Sequence, residues 1–244
     1  MATNYSPKII TDGLVLSLDA ADKNSYIGSG TTWSDLSTSG TDGTLSDAGI
    51  GTVSGSLNTM AFDRSDDKFE ISGSSPSYAF TTEAWINLST DGRANGGTIV
   101  RQQTTNGGWP TISMTVAATG NLRGDYSSAI YGQSLEGAYT TNDPMSANTW
   151  YHVAFTKSGN YTTMLLYING VSQSYTNYLY GSHVDTLATS THPFRIGVYL
   201  DGLSPGTWQK WFGGMIASTR IYNKALSSKE VSQNFNAQRS RFGV

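Results

Sequence analysis

Apolar and polar residues alternate along most of this chain in short runs, separated by Gly, Asn, Asp and Pro. A period of two places successive side chains on opposite faces of a strand, so each run predicts a strand with one buried face. In LVLSL, Leu14, Leu16 and Leu18 share a face, and Asp19 closes the run. In TTEAWINL, Ala84, Ile86 and Leu88 fall on one face and Glu83, Trp85 and Asn87 on the other. The runs MAFD, KFEIS, TIVRQQ, TISMTVA, FRIGVY and GMIASTRIYN read in the same way. WYHVAFTKSGNYTTMLLYINGVSQ reads as two strands in succession, and it runs into Asn169-Gly170, a strong hairpin-turn signal. Strands this numerous and this closely spaced predict an all-β sandwich or jelly roll.

One segment breaks the pattern with a helical one. ALSSKEVSQNFNAQRSR has Ser227 placed as N-cap and Glu230 three positions later, a capping box, with Leu226 and Val231 placed as a hydrophobic staple. A short C-terminal helix is predicted over residues 227–239, packed on the sandwich through Val231 and Phe235. Four stretches lack periodicity and read as long irregular segments: Ser29–Ser56, Asp125–Met145, Tyr175–Pro193 and Leu200–Lys210. In the first, Trp33, Leu36 and Leu45 are spaced as anchors, which predicts an ordered crossover within one domain. The whole chain, 1–244, is read as a single domain with residues 1–11 as an N-terminal arm.

Composition sharpens the picture. Charged residues are only 14% of the 244, against 27 glycines and 14 tyrosines, which fits sheet and loop. A net charge of −3 is not the basic footprint of a nucleic-acid partner. No run approaches the length of a membrane span, and the first residues show no signal-peptide pattern. The absence of cysteine excludes disulfides and thiol nucleophiles.

Read in order, DGLVLSLDAADKNSY, WSDLS, MAFDRSDDKFEI, FTTEAWI, WYHVAFT, LLYINGV and GGMIASTRIYNKALSSKEVSQNFNAQRSRFGV resemble a concanavalin A-like domain of the laminin-G-like jelly-roll kind. The resemblance runs from about Asp12 to Val244 and is similar to a version common in structural proteins of tailed bacteriophages. It implies a concanavalin A-like antiparallel β-sandwich with a carbohydrate- or protein-binding face. It also implies a virion component that attaches to host-surface polysaccharide or to other virion proteins in a larger assembly. The alternatives are a bacterial carbohydrate-binding module or lectin and, behind it, a glucanase-like hydrolase.

The candidate chemistry is sparse. A glycosidase needs two carboxylates at fixed separation, and FTTEAWINL offers only Glu83 and KFEIS only Glu70, so no enzyme is expected. The acidic run DRSDDKFE reads as a turn. His152 reads as a strand residue satisfied by a neighbour. In DAADKNSY, Asp19 is either a turn former bonding backbone amides or one ligand of an edge calcium. The binding candidates are aromatic rings in or beside irregular segments: Trp109, Tyr126, Tyr131, Tyr139, Tyr178, Tyr180, Tyr199, Trp208 and Trp211. Such rings stack on sugar faces and anchor protein interfaces. From these, Trp109, Tyr126, Tyr131, Tyr178, Tyr180 and Trp208 are singled out as ligand-binding.

Overall fold

The alternating runs become the strands of two packed antiparallel sheets. The structure is a computed structural model that describes residues 7–46, 58–76, 79–104, 109–128, 134–141, 144–159, 164–181, 188, 190–201 and 207–244. Among these, one sheet runs β1 (Leu14–Asp19), β18 (Gly213–Tyr222), β6 (Phe80–Leu88), β11 (Trp150–Lys157), β12 (Met164–Ile168) and β13 (Val171–Ser172), with β4 (Met60–Asp63) also pairing with β18. The other runs β14 (Tyr175–Tyr180), β10 (Ser134–Thr140), β9 (Leu122–Ser128), β8 (Pro110–Val116), β7 (Gly97–Gln103), β15 (Phe194–Ile196), β5 (Lys68–Ile71), β3 (Gly43–Ser46) and β2 (Thr32–Trp33). A small hairpin joins β16 (Tyr199–Asp201) to β17 (Thr207–Gln209). Among the described residues two helices complete the fold, α1 (Thr90–Asn95) and α2 (Ser228–Phe242).

Register explains how this sequence separates inside from outside. Ala138, Gly124, Met114, Val100, Ile196, Phe69 and Leu45 lie opposite one another in sequence across the larger sheet. All but the glycine are buried members of the core. Gly124 has no room for more, since a Cβ there would sit 2.5 Å from the Phe155 ring. One residue along, the row reads Tyr178, Gly137, Asp125, Ser113, Arg101, Arg195, Glu70, Thr44 and Thr32, spanning all nine strands. The period-two geometry thus turns one row to the core and the next outward.

The smaller sheet is covered on both faces, which is why every residue of β6 is buried. Ala84, Ile86 and Leu88 join the core, while Trp85 packs under α2, its ring stacked against Phe242 at 4.0 Å and Phe235 at 5.7 Å. The helix begins as its sequence predicts. Ser227 Oγ accepts from the Glu230 amide, Glu230 Oε2 accepts from the Ser227 amide at 2.8 Å, and Leu226 packs with Val231. It runs three residues beyond the predicted 239, to Phe242, where Gly243 at φ 70° supplies the left-handed cap. Asn169 and Gly170 both have positive φ, as the turn between β12 and β13 requires.

Several expectations need correction. Leu14 does not share the face of Leu16 and Leu18, because a bulge between Leu14 and Leu16 turns it toward the α2 cluster. Leu36 is no anchor, being 39% exposed, whereas Trp33 and Leu45 are buried. Much of Asp125–Met145 is ordered strand, β9 and β10, and Tyr175–Pro193 contains β14. The short helix α1, capped by the Ser89 hydroxyl, lies between the runs TTEAWINL and TIVRQQ, where the sequence pattern predicts no element.

Candidate functional site

The two outer faces of the sandwich have different chemistry. On the smaller sheet, the outer face holds charges that α2 closes off. Glu83 is fully buried; Asn234 Nδ2 donates to both its oxygens at 3.1 Å, Arg220 Nη1 donates at 3.3 Å, and His152 Nε2 lies 3.5 Å away. Burial alone would raise the Glu83 carboxyl, but the His152 contact, the Arg220 charge and the Asn234 amide together bring it below the usual glutamate range. The N-terminal arm lies over the same place, with the Ile10 amide donating to Asn234 Oδ1 at 2.8 Å. A carboxylate sealed in this way holds helix to sheet and touches no solute. His152 is buried on its strand face, but neither ring nitrogen makes a hydrogen bond among the described residues, so the expected satisfying neighbour is reduced to the Glu83 carboxylate at 3.5 Å.

Asp19 serves the same seam. Its Oδ1 accepts from the Ala21 amide at 3.0 Å, the turn-forming role, and its Oδ2 accepts from Arg241 Nη1 at 2.7 Å and Gln238 Nε2 at 3.3 Å. A cation at Asp19 would have to displace the Arg241 guanidinium. Among the described residues, carboxylates gather instead at Asp63, Asp66 and Asp67, whose oxygens lie within 4.8 Å of one another. There Asp63 Oδ1 accepts from the Ser65 amide and Asp67 Oδ2 from the Asp63 amide, the bonds of a tight acidic turn. Glu70, the other carboxylate weighed for catalysis, accepts from Arg195 Nε at 2.7 Å.

The outer face of the larger sheet is polar and open at its β14 edge. Tyr178 and Tyr180 lie two apart on β14, so they share a face, and Tyr139 of β10 joins them. Ring centroids run Trp109 to Tyr180 at 6.3 Å, Tyr180 to Tyr178 at 5.9 Å and Tyr178 to Tyr139 at 6.3 Å, a continuous aromatic ridge. Tyr180 is 59% and Tyr139 40% exposed. Gly137 makes the ridge possible, because a Cβ at that position would fall 2.2 Å from the Tyr178 hydroxyl and 2.5 Å from Asp125 Oδ1. The Arg123 guanidinium sits 5.0 Å from the centre of the Tyr178 ring, fixing its other side.

Beside the ridge is a polar pocket of about 240 Å³, lined by Arg101, Thr115, Arg123, Asp125, Tyr199 and Lys210 among others. Arg123 Nε donates to both oxygens of Asp125 at 3.0 Å. Burial pushes the Asp125 carboxyl up to about 6, with the charge and hydrogen bonds of Arg123 and the charge of Arg101 pulling the other way. Arg101 lies 4.2 Å from the centre of the Tyr199 ring. Ser113 and Ser127, on the same face, are buried with unpartnered hydroxyls. A larger cavity of about 460 Å³ opens between the sheets near Leu16 and Ile71. Its carboxylate, Asp35, is engaged by the Ser17 and Ser37 amides and the Ser37 hydroxyl.

Of the six singled-out aromatics, the structure brings three together: Trp109, Tyr178 and Tyr180. Tyr126 is a correction. It is a strand residue with no exposed surface, its hydroxyl donating to Glu136 and its ring packed edge-on to Phe80, so it belongs to the core. Tyr131 lies outside the described residues, and Trp208 falls on β17, opposite Leu200. Sequence reasoning missed Arg101, Arg123, Asp125 and Lys210. The signal was in LRGDYSS, where Arg123, Asp125 and Ser127 alternate with Leu122, Gly124 and Tyr126.

Comparisons with known proteins agree with this architecture. No curated protein matches the sequence. Among solved structures, the binding domain of botulinum neurotoxin serotype D superposes with a TM-score of 0.63 at 19% identity, covering 94% of this chain and 53% of that one. The binding domain of Paraclostridial Mosquitocidal Protein 1 gives 0.65 at 19% identity, over 92% and 52%. Trypanosoma rangeli sialidase in complex with sialic acid gives 0.62 at 14% identity, over 97% and 36%. The chain thus spans about half the length of the toxin domains and about a third of the sialidase, and at these identities the likeness is one of fold. A family profile described as the concanavalin A-like lectin/glucanases superfamily matches residues 63–232, most of both sheets and the start of α2. The chain belongs to the concanavalin A-like lectin/glucanases superfamily.

Proposed function

We propose that this chain is a non-catalytic carbohydrate-binding domain whose binding surface is the aromatic ridge of Trp109, Tyr139, Tyr178 and Tyr180. The ridge itself carries the reading. Tyrosine and tryptophan rings held rigid and left in solvent expose apolar faces at a cost that stacking on a sugar recovers, and their polar tips reach hydroxyls beside it. The lectin-type fold supports it, as does the burial of Glu83, the carboxylate that a glucanase-like reading would need. The setting we propose is the virion of a tailed bacteriophage, with host-surface polysaccharide or neighbouring virion proteins as partners. That setting is supported by the resemblance of the opening DGLVLSLDA and closing RIYNKALSSKEVSQNFNAQRSRFG motifs to phage structural proteins.

A glycan array probed with the full chain and with Tyr180→Ala tests the binding reading. Tyr180 is largely exposed, so the variant should fold normally and lose binding. An array without signal for the parent chain, or signal indifferent to Tyr180→Ala and Trp109→Ala, would overturn it. Mass spectrometry of purified particles tests the setting, which fails if the chain is missing from them.

A further inference from the structure

We infer that the pocket next to the ridge selects a sugar unit bearing a carboxylate, so that the ligand is an acidic polysaccharide and not a neutral one. The inference rests on the carbohydrate-binding reading above and adds the ligand's charge class. Three cationic side chains, Arg101, Arg123 and Lys210, line the pocket against one carboxylate, Asp125. This local excess of positive charge stands on a chain whose net charge is −3, so it is a property of the place and not of the protein at large.

Each cation is positioned, and two have unused donors. Arg123 spends only Nε on Asp125, and among the described residues its terminal nitrogens make no hydrogen bond, although its side chain is 41% exposed. Those two nitrogens form the planar fork that meets a two-oxygen anion end-on. Lys210 is exposed, with its ammonium unpartnered among the described residues, and its backbone, at φ 51°, is held by the Thr98 amide donating to its carbonyl at 2.9 Å. Arg101 is fixed over the Tyr199 ring. Asp125, buried and bonded through both oxygens, aims the Arg123 guanidinium. Because Arg123 also lies against the Tyr178 ring, one residue joins pocket and ridge. With one face of Tyr178 taken by the guanidinium, a glycan laid on the exposed Tyr139 and Tyr180 rings that flank it brings a ring substituent to Arg123. An acidic peptide would satisfy the cations but would leave the ridge without a flat partner.

The experiment titrates the full chain with polygalacturonate, dextran sulfate and unmodified dextran at physiological salt, using parent, Lys210→Gln, Arg123→Gln and Tyr180→Ala chains. The inference expects polygalacturonate to bind at least about tenfold more tightly than dextran, the size of one charge-assisted hydrogen bond. Lys210→Gln and Arg123→Gln should each erase most of that preference, and Tyr180→Ala should weaken binding of the acidic polymer as well. Lys210 is exposed, so its variant keeps the test valid if Arg123→Gln unfolds. Equal binding of polygalacturonate and dextran, or a preference that survives both substitutions, overturns the inference and leaves the carbohydrate-binding reading standing. Binding of dextran sulfate alone overturns the carboxylate assignment. Binding to polyanions that ignores Tyr180→Ala is plain charge attraction and overturns it too. If the array reports neutral glycans only, the inference fails while its parent survives, and if it reports none, both fail.

Discussion

Adding one methyl group, by Gly137→Ala, tests whether the ridge and the pocket form one site. Gly137 lies between Tyr178 and Asp125 in the outward row of the larger sheet, and its φ is not in the left-handed region. Alanine therefore fits the backbone, and losing glycine's unfolded-state freedom stabilises the chain by about 0.4–1 kcal/mol. The new Cβ would fall 2.2 Å from the Tyr178 hydroxyl and 2.5 Å from Asp125 Oδ1. Ordinary contact distances of about 3.5 Å require shifts of roughly 1.3 and 1.0 Å. The ring of an edge-strand tyrosine swings outward easily, while the buried Asp125 moves only by disturbing its bond to Arg123. Overpacking of this kind costs about 1–3 kcal/mol. The net loss of stability is then between about 0 and 2.6 kcal/mol, with a middle value of about 1.3 kcal/mol, a fall of a few degrees in Tm for a chain of this size at roughly 2–4 °C per kcal/mol.

Binding should suffer more than folding. Both the stacking ring and the guanidinium fork move by about 1 Å, enough to weaken a positioned polar contact by tenfold or more. Thermal unfolding by circular dichroism and binding by fluorescence titration separate the two effects. The double variant Gly137→Ala/Tyr178→Ala separates the two clashes, because with the ring removed only the contact with Asp125 remains and the added methyl should cost less than it does in the parent. A Gly137→Ala chain that keeps its Tm within a few degrees and binds glycan as tightly as the parent would refute the site.

Other outcomes follow from the same geometry. Phe242→Ala removes a ring stacked at 4.0 Å on Trp85 and should destabilise the fold by about 3 kcal/mol, read from denaturant unfolding. Glu83→Gln leaves Arg220 buried without its countercharge and should cost about 3–5 kcal/mol. The Glu83 carboxyl sits below its usual range when folded, so its contribution is present at neutral pH and is lost as pH falls through the folded value. The Gln variant should therefore show a flatter decline of stability in acid. Asp125, held near 6, faces Arg123 on its own strand, Arg101 on β7, Tyr178 on β14 and Lys210 across the pocket. As pH falls from 7.5 to 5, its protonation removes the pocket's one described negative charge while a uronate stays ionised. Acidic-glycan affinity should then rise by about tenfold, and Asp125→Asn should abolish that rise.

Legibility in the sequence followed locality. The capping box at Ser227, the Asn169-Gly170 turn and the inward face of β6 depend on neighbours in the chain, and each could be read directly. The bulge that turns Leu14 away from Leu16 depends on pairing with β18, which no local pattern announces. LRGDYSS was hidden by its own composition. Its outward face is Arg, Asp and Ser and its inward face includes a glycine beneath Phe155, so a regular strand looks like a loop. Tyr126 and Tyr178 show the same limit in the candidate site. Both are tyrosines near polar residues, and only register across β9, β10 and β14 places one ring in the core and the other on the ridge.

The location of the site follows from what each outer face must do. The smaller sheet turns Trp85, Tyr167, Tyr222 and His152 away from the core, a surface too aromatic to leave wet. The α2 helix and the Ile10 arm cover it, and beneath them Glu83 accepts from Arg220 of the sheet and from Asn234 of the helix, out of contact with solvent. That face is committed to stability. The larger sheet's outward row is polar instead, Asp125, Ser113, Arg101, Arg195, Glu70 and threonines, with Asp125, Ser113 and Arg195 buried and Arg101 against the Tyr199 ring. Aromatic rings on this polar face contribute nothing to the core, and they collect at the edge strand β14, where Tyr180 stands largely in solvent. A fold that seals Trp85, Tyr167 and Tyr222 under a helix and leaves these rings outside, braced by Arg123 and given room by Gly137, supports the proposal that they meet a ligand.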